Sequence, residues 1–389
     1  MKRNFLKWSL AITVALAGTI PASISFAAGV SFHDLYGHWS KAAVELAVSK
    51  GYVDGYEDGT FRPDGTLTRA EFTKLVVTAL KVPVDAAGTV SGGAWYQPYV
   101  SAATTQGFYK TADFTGWDQP MTRLEMSRMA SRAAGLQAEN ENQWMYQATK
   151  AGLIQGVDDT GSLGVEGTTT RAQSVTIIER ILQVKAGQSL QADKHAVNRA
   201  ELLWHQTNIF TVMPEFFSKV SSTDYWSTDK LTLATPDGLW KGTVEQLVAI
   251  NVNDLQDPGW ALLPPRDELR WTGRNVKDSF PVKDYSSYIL VLVSHVDYNK
   301  DTSAYASRNE VNFSTAGTKQ GDSMQMLKGK LIEPIRVFHQ KLNDLNAIII
   351  PKQLPTNNYF GIKISAPKIG IGGTERVLID SWAPSIINP

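Results

Sequence analysis

The sequence contains no cysteine, so neither disulfides nor thiolate-held metals are open to it. It has no net charge either, since 38 Lys plus Arg balance 38 Asp plus Glu. That removes the broad field that steers a chain toward nucleic acid or an anionic membrane, so any anion site must be local. Histidine is sparse, six in 389 residues, and His195 and His205 lie ten positions apart, which is not a one-face helical ligand pair. His295 and His339 have no evident partners. There is no Gly-x-Ser-x-Gly elbow, no His-Glu-x-x-His and no Gly-rich phosphate loop. Long apolar runs are absent apart from one near the amino end, too short to favour a permanent anchor.

That run has the layout of an export signal. Lys2, Arg3 and Lys7 supply the positive region, residues 8–20 the apolar one, and Ser25-Phe26-Ala27 a small-residue cleavage site. Residues 1–27 are therefore expected to be removed, leaving a secreted chain with no membrane span. A Cys-free exported protein suits a Gram-positive envelope. The remainder is long enough for two or three domains, each with its own core.

Within that remainder one tetrapeptide recurs. Thr68-Arg69-Ala70-Glu71 returns as Thr122-Arg123-Leu124-Glu125 and Thr170-Arg171-Ala172-Gln173, at offsets of 54 and 48 residues. Each copy has the form of a capping box, in which the Thr hydroxyl and the Glu or Gln at N3 satisfy each other's backbone N–H groups. Thr68, Glu71, Thr122, Glu125, Thr170 and Gln173 are thus structural caps. An amphipathic stripe follows each box (Phe72, Leu75, Val76, Ala79 and Leu80 in the first), which predicts the same helix three times. Ahead of the first box, residues 40–50 form a shorter helical pattern with Gly51 placed as its C′ residue. Gly107 and Gly152 occupy the same place in the other repeats. Trp39 and Trp95 each stand twelve residues before their glycine; in the third repeat that position is Asn140, and Trp144 follows one helical turn later.

The Arg inside each box is the informative residue. It sits in the first helical turn, where the macrodipole makes a cation locally unfavourable. Two readings stand. Either an anion is expected at that end, shared by free N–H groups and a guanidinium, or each Arg pairs with an acidic residue of a neighbouring repeat.

Phe32-x-Asp34, His38-Trp39, the series from Gly51 to Pro63 (Gly-Tyr-Val-Asp-Gly-Tyr-x-Asp-Gly-Thr-Phe-x-Pro) and Thr68-Arg69-Ala70-Glu71 closely resemble the S-layer homology (SLH) family. The resemblance covers about residues 30–186, as repeats at 30–82, 94–135 and 139–184, and is fullest in the first. It implies an all-α, pseudo-threefold helical prism whose inter-repeat grooves hold secondary cell-wall polymer, often ending in pyruvylated N-acetylmannosamine. The matching polymer-binding positions would be Asp34, Trp39, Gly55, Arg69, Trp95, Arg123, Gly156 and Arg171. For Trp39 a core or interface aromatic is the competing reading. Thr111 in place of the second glycine of repeat two, and Asn140 in place of the Trp of repeat three, mark weaker grooves. On this basis residues 28–186 suffice for wall binding, and Arg69 outranks Arg123 in it.

Residues 183–194 read as a linker, placing a boundary near 187. Beyond it the pattern predicts a helix over 196–213, strands at 230–235, 243–252, 287–297, 346–351, 359–364 and 375–382, and a second helix around 324–345. The expectation for 187–389 is a mostly β, sandwich-like domain with helical additions. Asp297-x-Asn299-x-Asp301 opens like a calcium loop, but Thr302 and Arg308 occupy the places of the glycine and the bidentate Glu, so a polar turn is favoured. Ser294, His295 and Asp297 share one strand and cannot assemble a triad.

The sequence thus favours a cell-surface protein without metal, cofactor or nucleic-acid partner. Its repeats would anchor a C-terminal interaction or structural domain to wall polymer, within reach of other envelope proteins or extracellular glycans. The alternative is a wall-attached hydrolase with its site in 187–389, since a carboxylate pair leaves no required sequence spacing.

Overall fold

The computed structural model describes residues 32–84, 93–217, 226–272, 279–318, 323–354, 356–370 and 372–380. The expected signal segment, 1–27, lies outside them. The N-terminal half is helical and the C-terminal half is built mostly from antiparallel sheet. Among the described residues no helix is long and apolar enough to cross a membrane.

In the helical half, α1 (Lys41–Ser49), α3 (Gln97–Thr105) and α5 (Glu141–Lys150) alternate with α2 (Arg69–Ala79), α4 (Arg123–Ala133) and α6 (Arg171–Lys185). Thr68, Thr122 and Thr170 each accept from the N3 backbone N–H, and Glu71, Glu125 and Gln173 each accept from the cap N–H. Gly51, Gly107 and Gly152 have φ of +75°, +73° and +72°, the left-handed geometry that ends a helix without steric cost.

The segments entering the three boxes bond to one another in a closed cycle. Leu67 N–H donates to Thr169 O (3.0 Å), Thr169 N–H to Met121 O (2.9 Å), and Met121 N–H to Leu67 O (2.9 Å). All three residues are fully buried. Each helix start then bonds to the loop of the following repeat. Arg69 and Ala70 donate to Gln119 and Trp117, Arg123 and Leu124 to Gly167 and Val165, and Arg171 and Ala172 to Gly65 and Pro63. One continuous core serves all three repeats, with Phe61, Phe72, Met126, Met129, Met145, Leu153 and Ile178 inside it.

The helix expected over 196–213 is interrupted. It forms as α7 (Lys194–His205) and the single turn α8 (Ile209–Val212), and Gln206 between them has φ +59°. The break has a tertiary cause: Gln206 O accepts from Leu247 N–H of a sheet strand, and the Asn208 side chain bonds both ways to the Ala249 backbone. A further turn, α9 (Pro214–Phe217), precedes the sheets.

Ten strands make two sheets among the described residues: β1 (Thr232–Ala234), β2 (Trp240–Asn251), β3 (Arg270–Thr272), β4 (Ser279–Pro281), β5 (Ser287–Asn299), β6 (Asn312–Thr318), β7 (Ile335–Phe338), β8 (Ala347–Pro351), β9 (Thr356–Ser365) and β10 (Glu375–Asp380). The larger runs β1-β2-β5-β8-β7-β3-β4 and the smaller β10-β9-β6. Along β5 the side chains alternate between two cores. Tyr288, Leu290 and Leu292 meet Phe360, Ile362 and Ile364 of the small sheet, whereas Ile289 and Val291 meet Trp271, Val282 and Val337. The second helix expected at 324–345 is only α10 (Ser323–Leu327), because Pro334 and the strand β7 occupy that span.

Two buried groups yield stability tests. Thr169 Oγ1 is buried without a partner at the centre of the cycle, so Thr169→Val should raise unfolding stability by about 1 kcal/mol in urea denaturation. Glu201 is fully buried in α7, and burial lifts its pKa from 4.5 to about 7 against the N–H bonds it accepts from Phe210 and Thr211. The folded state then holds a proton that the unfolded state has released, so this group costs stability as pH rises from 4.5 to about 7. His205 acts in the opposite sense, because burial pushes its pKa down to about 4. Glu201→Gln relative to wild type isolates the first effect: its relative stability should climb by up to ~3 kcal/mol across that window and be flat above it.

Candidate functional site

The helix starts place their arginines on the neighbouring repeat's loop. Arg69 makes a bidentate pair with Glu125 (Nε to Oε2 3.0 Å, Nη2 to Oε1 2.6 Å) and donates to the carbonyls of Thr115 and Gly116. Arg123 donates to Leu163 O (2.7 Å) and Gln155 O (2.8 Å). Arg171 donates to Phe61 O (3.0 Å) and Asp54 O (3.3 Å), with its guanidinium over the Phe61 and Tyr56 rings. Carbonyl oxygens and one carboxylate supply the negative partners that a cation at a helix N-terminus lacks. Of the two sequence readings, the fastening one describes Arg69 fully.

Asp34 has an inward task as well. Its carboxylate accepts from Phe61 N–H and Arg62 N–H (2.6 Å to the latter). Burial pushes its pKa up, but these backbone donors outweigh burial and hold it below the usual carboxylate value. Gly55 is demanded by packing, since a Cβ there would lie 1.9 Å from the Phe32 ring. At Gly156 a Cβ would lie 2.5 Å from Gly161 Cα, so its loop can close only without a side chain.

Two crevices open beside the arginines, and both are assembled from equivalent positions. One, of about 380 Å³, is lined by Asp54 and Glu71, Lys74, Leu75 and Thr78 of α2, together with Trp95 and Arg171. The other, of about 320 Å³, is lined by Gln155 and Gln173, Thr176, Ile177 and Arg180 of α6, together with Trp39 and Arg123. Each thus takes its helix and loop from one repeat, its Trp from the next in cyclic order and its Arg from the remaining one. The volumes fall at the lower end of the ~300–1,000 Å³ typical of small-molecule clefts. Trp39 is 63% exposed and Trp95 51%, so neither is a core aromatic.

Their electrostatics differ. The Trp95 crevice carries Arg171 and Lys74 against Asp54 and Glu71, and the Lys74 ammonium lies 5.9 Å from the Trp95 ring. The Trp39 crevice carries Arg123 and Arg180 with no carboxylate among its lining residues. Burial first, and then the charge of Arg180, push the Arg123 pKa down. Sequence reading passed over Arg180. Its signal was available by lining up the boxes: Arg180 stands nine residues past Arg171, where the first repeat has Thr78 and the second Arg132.

The equivalent place at the second repeat is filled from within. Arg128 and Arg132 both pair with Asp113, Arg128 also with Glu141, and the Arg132 guanidinium sits 4.8 Å from the buried Trp144 ring. Asn140, standing where the other repeats carry Trp, caps α5 by accepting from Gln143 N–H.

In the C-terminal half, Asp301 accepts from Ser303 and Ala304 N–H as a polar turn, and His295 pairs with Glu245. Among the described residues no group of three His, Asp or Glu is arranged to hold a metal.

Caps that interlock in a cycle and crevices repeated between them define a repeat-built helical module with clefts between its repeats. The family model for the S-layer homology domain matches residues 31–73, so the chain carries an S-layer homology domain in its first repeat. Similar proteins include an S-layer protein of Bacillus thuringiensis subsp. finitimus, 33% identical over 125 residues (31% of this chain, 15% of that one). A cellulosome-anchoring protein of Acetivibrio thermocellus is 44% identical over 48 residues, 12% of this chain and 11% of its own. Exoglucanase XynX of the same species is 28% identical over 183 residues, 40% of this chain and 16% of the enzyme. The chain thus spans about a sixth or less of the length of these relatives.

Removing the shared partner of two buried guanidiniums should be costly. Asp113→Ala is expected to lower stability by about 3–5 kcal/mol in urea unfolding, because Arg128 and Arg132 keep their charge without it.

Proposed function

We propose that the repeats form a pseudo-threefold prism that anchors the exported chain non-covalently to an acidic secondary wall polymer, and that the sheet domain is the displayed part. The observation that carries this reading is the pair of equivalent crevices, each offering an exposed indole beside a guanidinium. An indole face covers the apolar face of a sugar ring, while an Arg fork matches a carboxylate. A polymer ending in a pyruvyl ketal presents both.

The geometry ranks the arginines differently from the sequence. Arg69 is already neutralised by Glu125, whereas the Arg123–Arg180 pair holds two positive charges with no carboxylate beside it. The acidic group is therefore assigned to the Trp39 crevice. The reading as a hydrolase rests on similarity to enzymes such as exoglucanase XynX. One crevice of the sheet domain is lined by Arg308, Asn309, Glu310 and Lys341, and another, between the third repeat, α7 and the sheet domain, is lined largely by apolar side chains.

Co-sedimentation of the full chain with purified wall sacculi tests the reading. Trp39→Ala and Trp95→Ala should each weaken retention and together abolish it. Arg180→Ala should cost ~10-fold or more, the value of a charge-assisted bond, and Arg69→Ala less. Retention through Arg180 should fall as salt shortens the Debye length below ~10 Å. Equal retention by sacculi stripped of their acidic polymer would overturn the proposal.

A further inference from the structure

We infer that α7, which follows the third repeat, is a working part of the Trp39 crevice, and that Asp193 is the positioning residue through which it acts. The inference rests on the anchoring reading above and adds to it a residue outside the repeats.

The loop that supplies Gln155, Gly156 and Val157 to this crevice is held from outside by the start of α7. Asp193 uses both carboxylate oxygens. Oδ1 accepts from His195 and Ala196 N–H, which caps α7, and Oδ2 accepts from Gly156 N–H at 3.0 Å. One side chain thus fixes the helix and the crevice wall together. Further along the loop, Arg199 donates to Thr160 O (2.9 Å) and the His195 ring lies 3.2 Å from Asp159 O. Gly161 makes the approach possible, because a Cβ there would lie 2.3 Å from the His195 backbone. The grip continues into the sheet domain, where Asp254 pairs with Lys194 (2.6 Å) and His195 (3.0 Å).

The corresponding loop of the first repeat is held differently. There Asp34, which precedes the repeat's own first helix, takes the N–H groups of Phe61 and Arg62. Repeat three has turned to the segment after it for an equivalent support. The unit that binds at Trp39 therefore ends beyond α7, and a boundary at 187 would remove its brace.

The test uses the full chain in two backgrounds that each leave one crevice intact, with purified sacculi as the probe. With Trp95→Ala, only the Trp39 crevice binds, and adding Asp193→Ala should weaken retention by ~10-fold. With Trp39→Ala, the same change should alter retention less than twofold. Asp193→Asn, which keeps an acceptor oxygen, should restore part of the loss, and the thermal midpoint records any general loss of folding. Equal losses in both backgrounds, or none in either, would overturn the role of Asp193. Insensitivity to Trp39→Ala and Trp95→Ala together would instead overturn the anchoring reading itself.

Discussion

Three backbone hydrogen bonds, running from Leu67 to Thr169 to Met121 and back to Leu67, set the conditions for the rest of the helical half. This cycle takes one segment from each of the three repeats. Each segment donates to one neighbour and accepts from the other, so in this arrangement the loss of any one leaves an N–H and a C=O unpaired. Buried backbone groups left unpaired would cost as much as the bonds contribute, so the three entry segments must meet in one geometry. From that geometry it follows that every box faces the loop of the next repeat. The crevices are the gaps left where that facing is incomplete.

The repeated arginine is best understood from this closure. A guanidinium in the first helical turn is disfavoured by the helix, yet its fork is well suited to gather carbonyl oxygens from an irregular loop that has no ladder of its own. Arg69, Arg123 and Arg171 each do so on the following repeat. Where a loop supplies carbonyls alone, as for Arg123, the positive charge is solvated but not cancelled, and a second cation nearby raises the local potential further. Where a carboxylate joins, as Glu125 does for Arg69, the charge is spent inside the protein. One motif thus gives sites of different character, decided by residues outside it: Arg180 in one crevice, Asp54 and Glu71 in another, and Asp113 with Glu141 where the place is filled.

What could be read from the sequence follows the range of the forces involved. Helix starts and ends depend on residues three or four apart, so the capping boxes and the C′ glycines were legible. The long central strands were legible too, because β2, β5 and β8 are buried on both faces and carry continuous apolar runs. The strands β3, β4, β6 and β7 were not. They are short or rich in Ser, Thr, Ala and Gly, and are strands because the sheet receives them. The helix over 196–213 failed at Gln206 for the same kind of reason, since its carbonyl is claimed by Leu247 forty-one residues away. At the site, Trp39 and Trp95 could be picked out by their spacing. Asp34, Gly55 and Gly156 were expected among the polymer-binding positions, whereas their internal tasks could not be read, because each acts on a partner that is distant in the chain or revealed only by packing.

The helix α7 changes how the two halves relate. Val197 and Ala200 are part of the repeat core, Leu202 packs against a core of the sheet domain, and Asn198 bonds Asn208, which in turn grips Ala249 of β2. A tether would leave those groups in water, whereas here they are buried and paired. The halves are therefore joined by a shared structural element, and a force applied to the sheet domain would pass into the third repeat through packed side chains. That repeat supplies the wall of the crevice where the two uncancelled guanidiniums stand, so under the proposed anchoring the grip assigned to Arg180 lies at the end of the repeat array that is joined to the sheet domain.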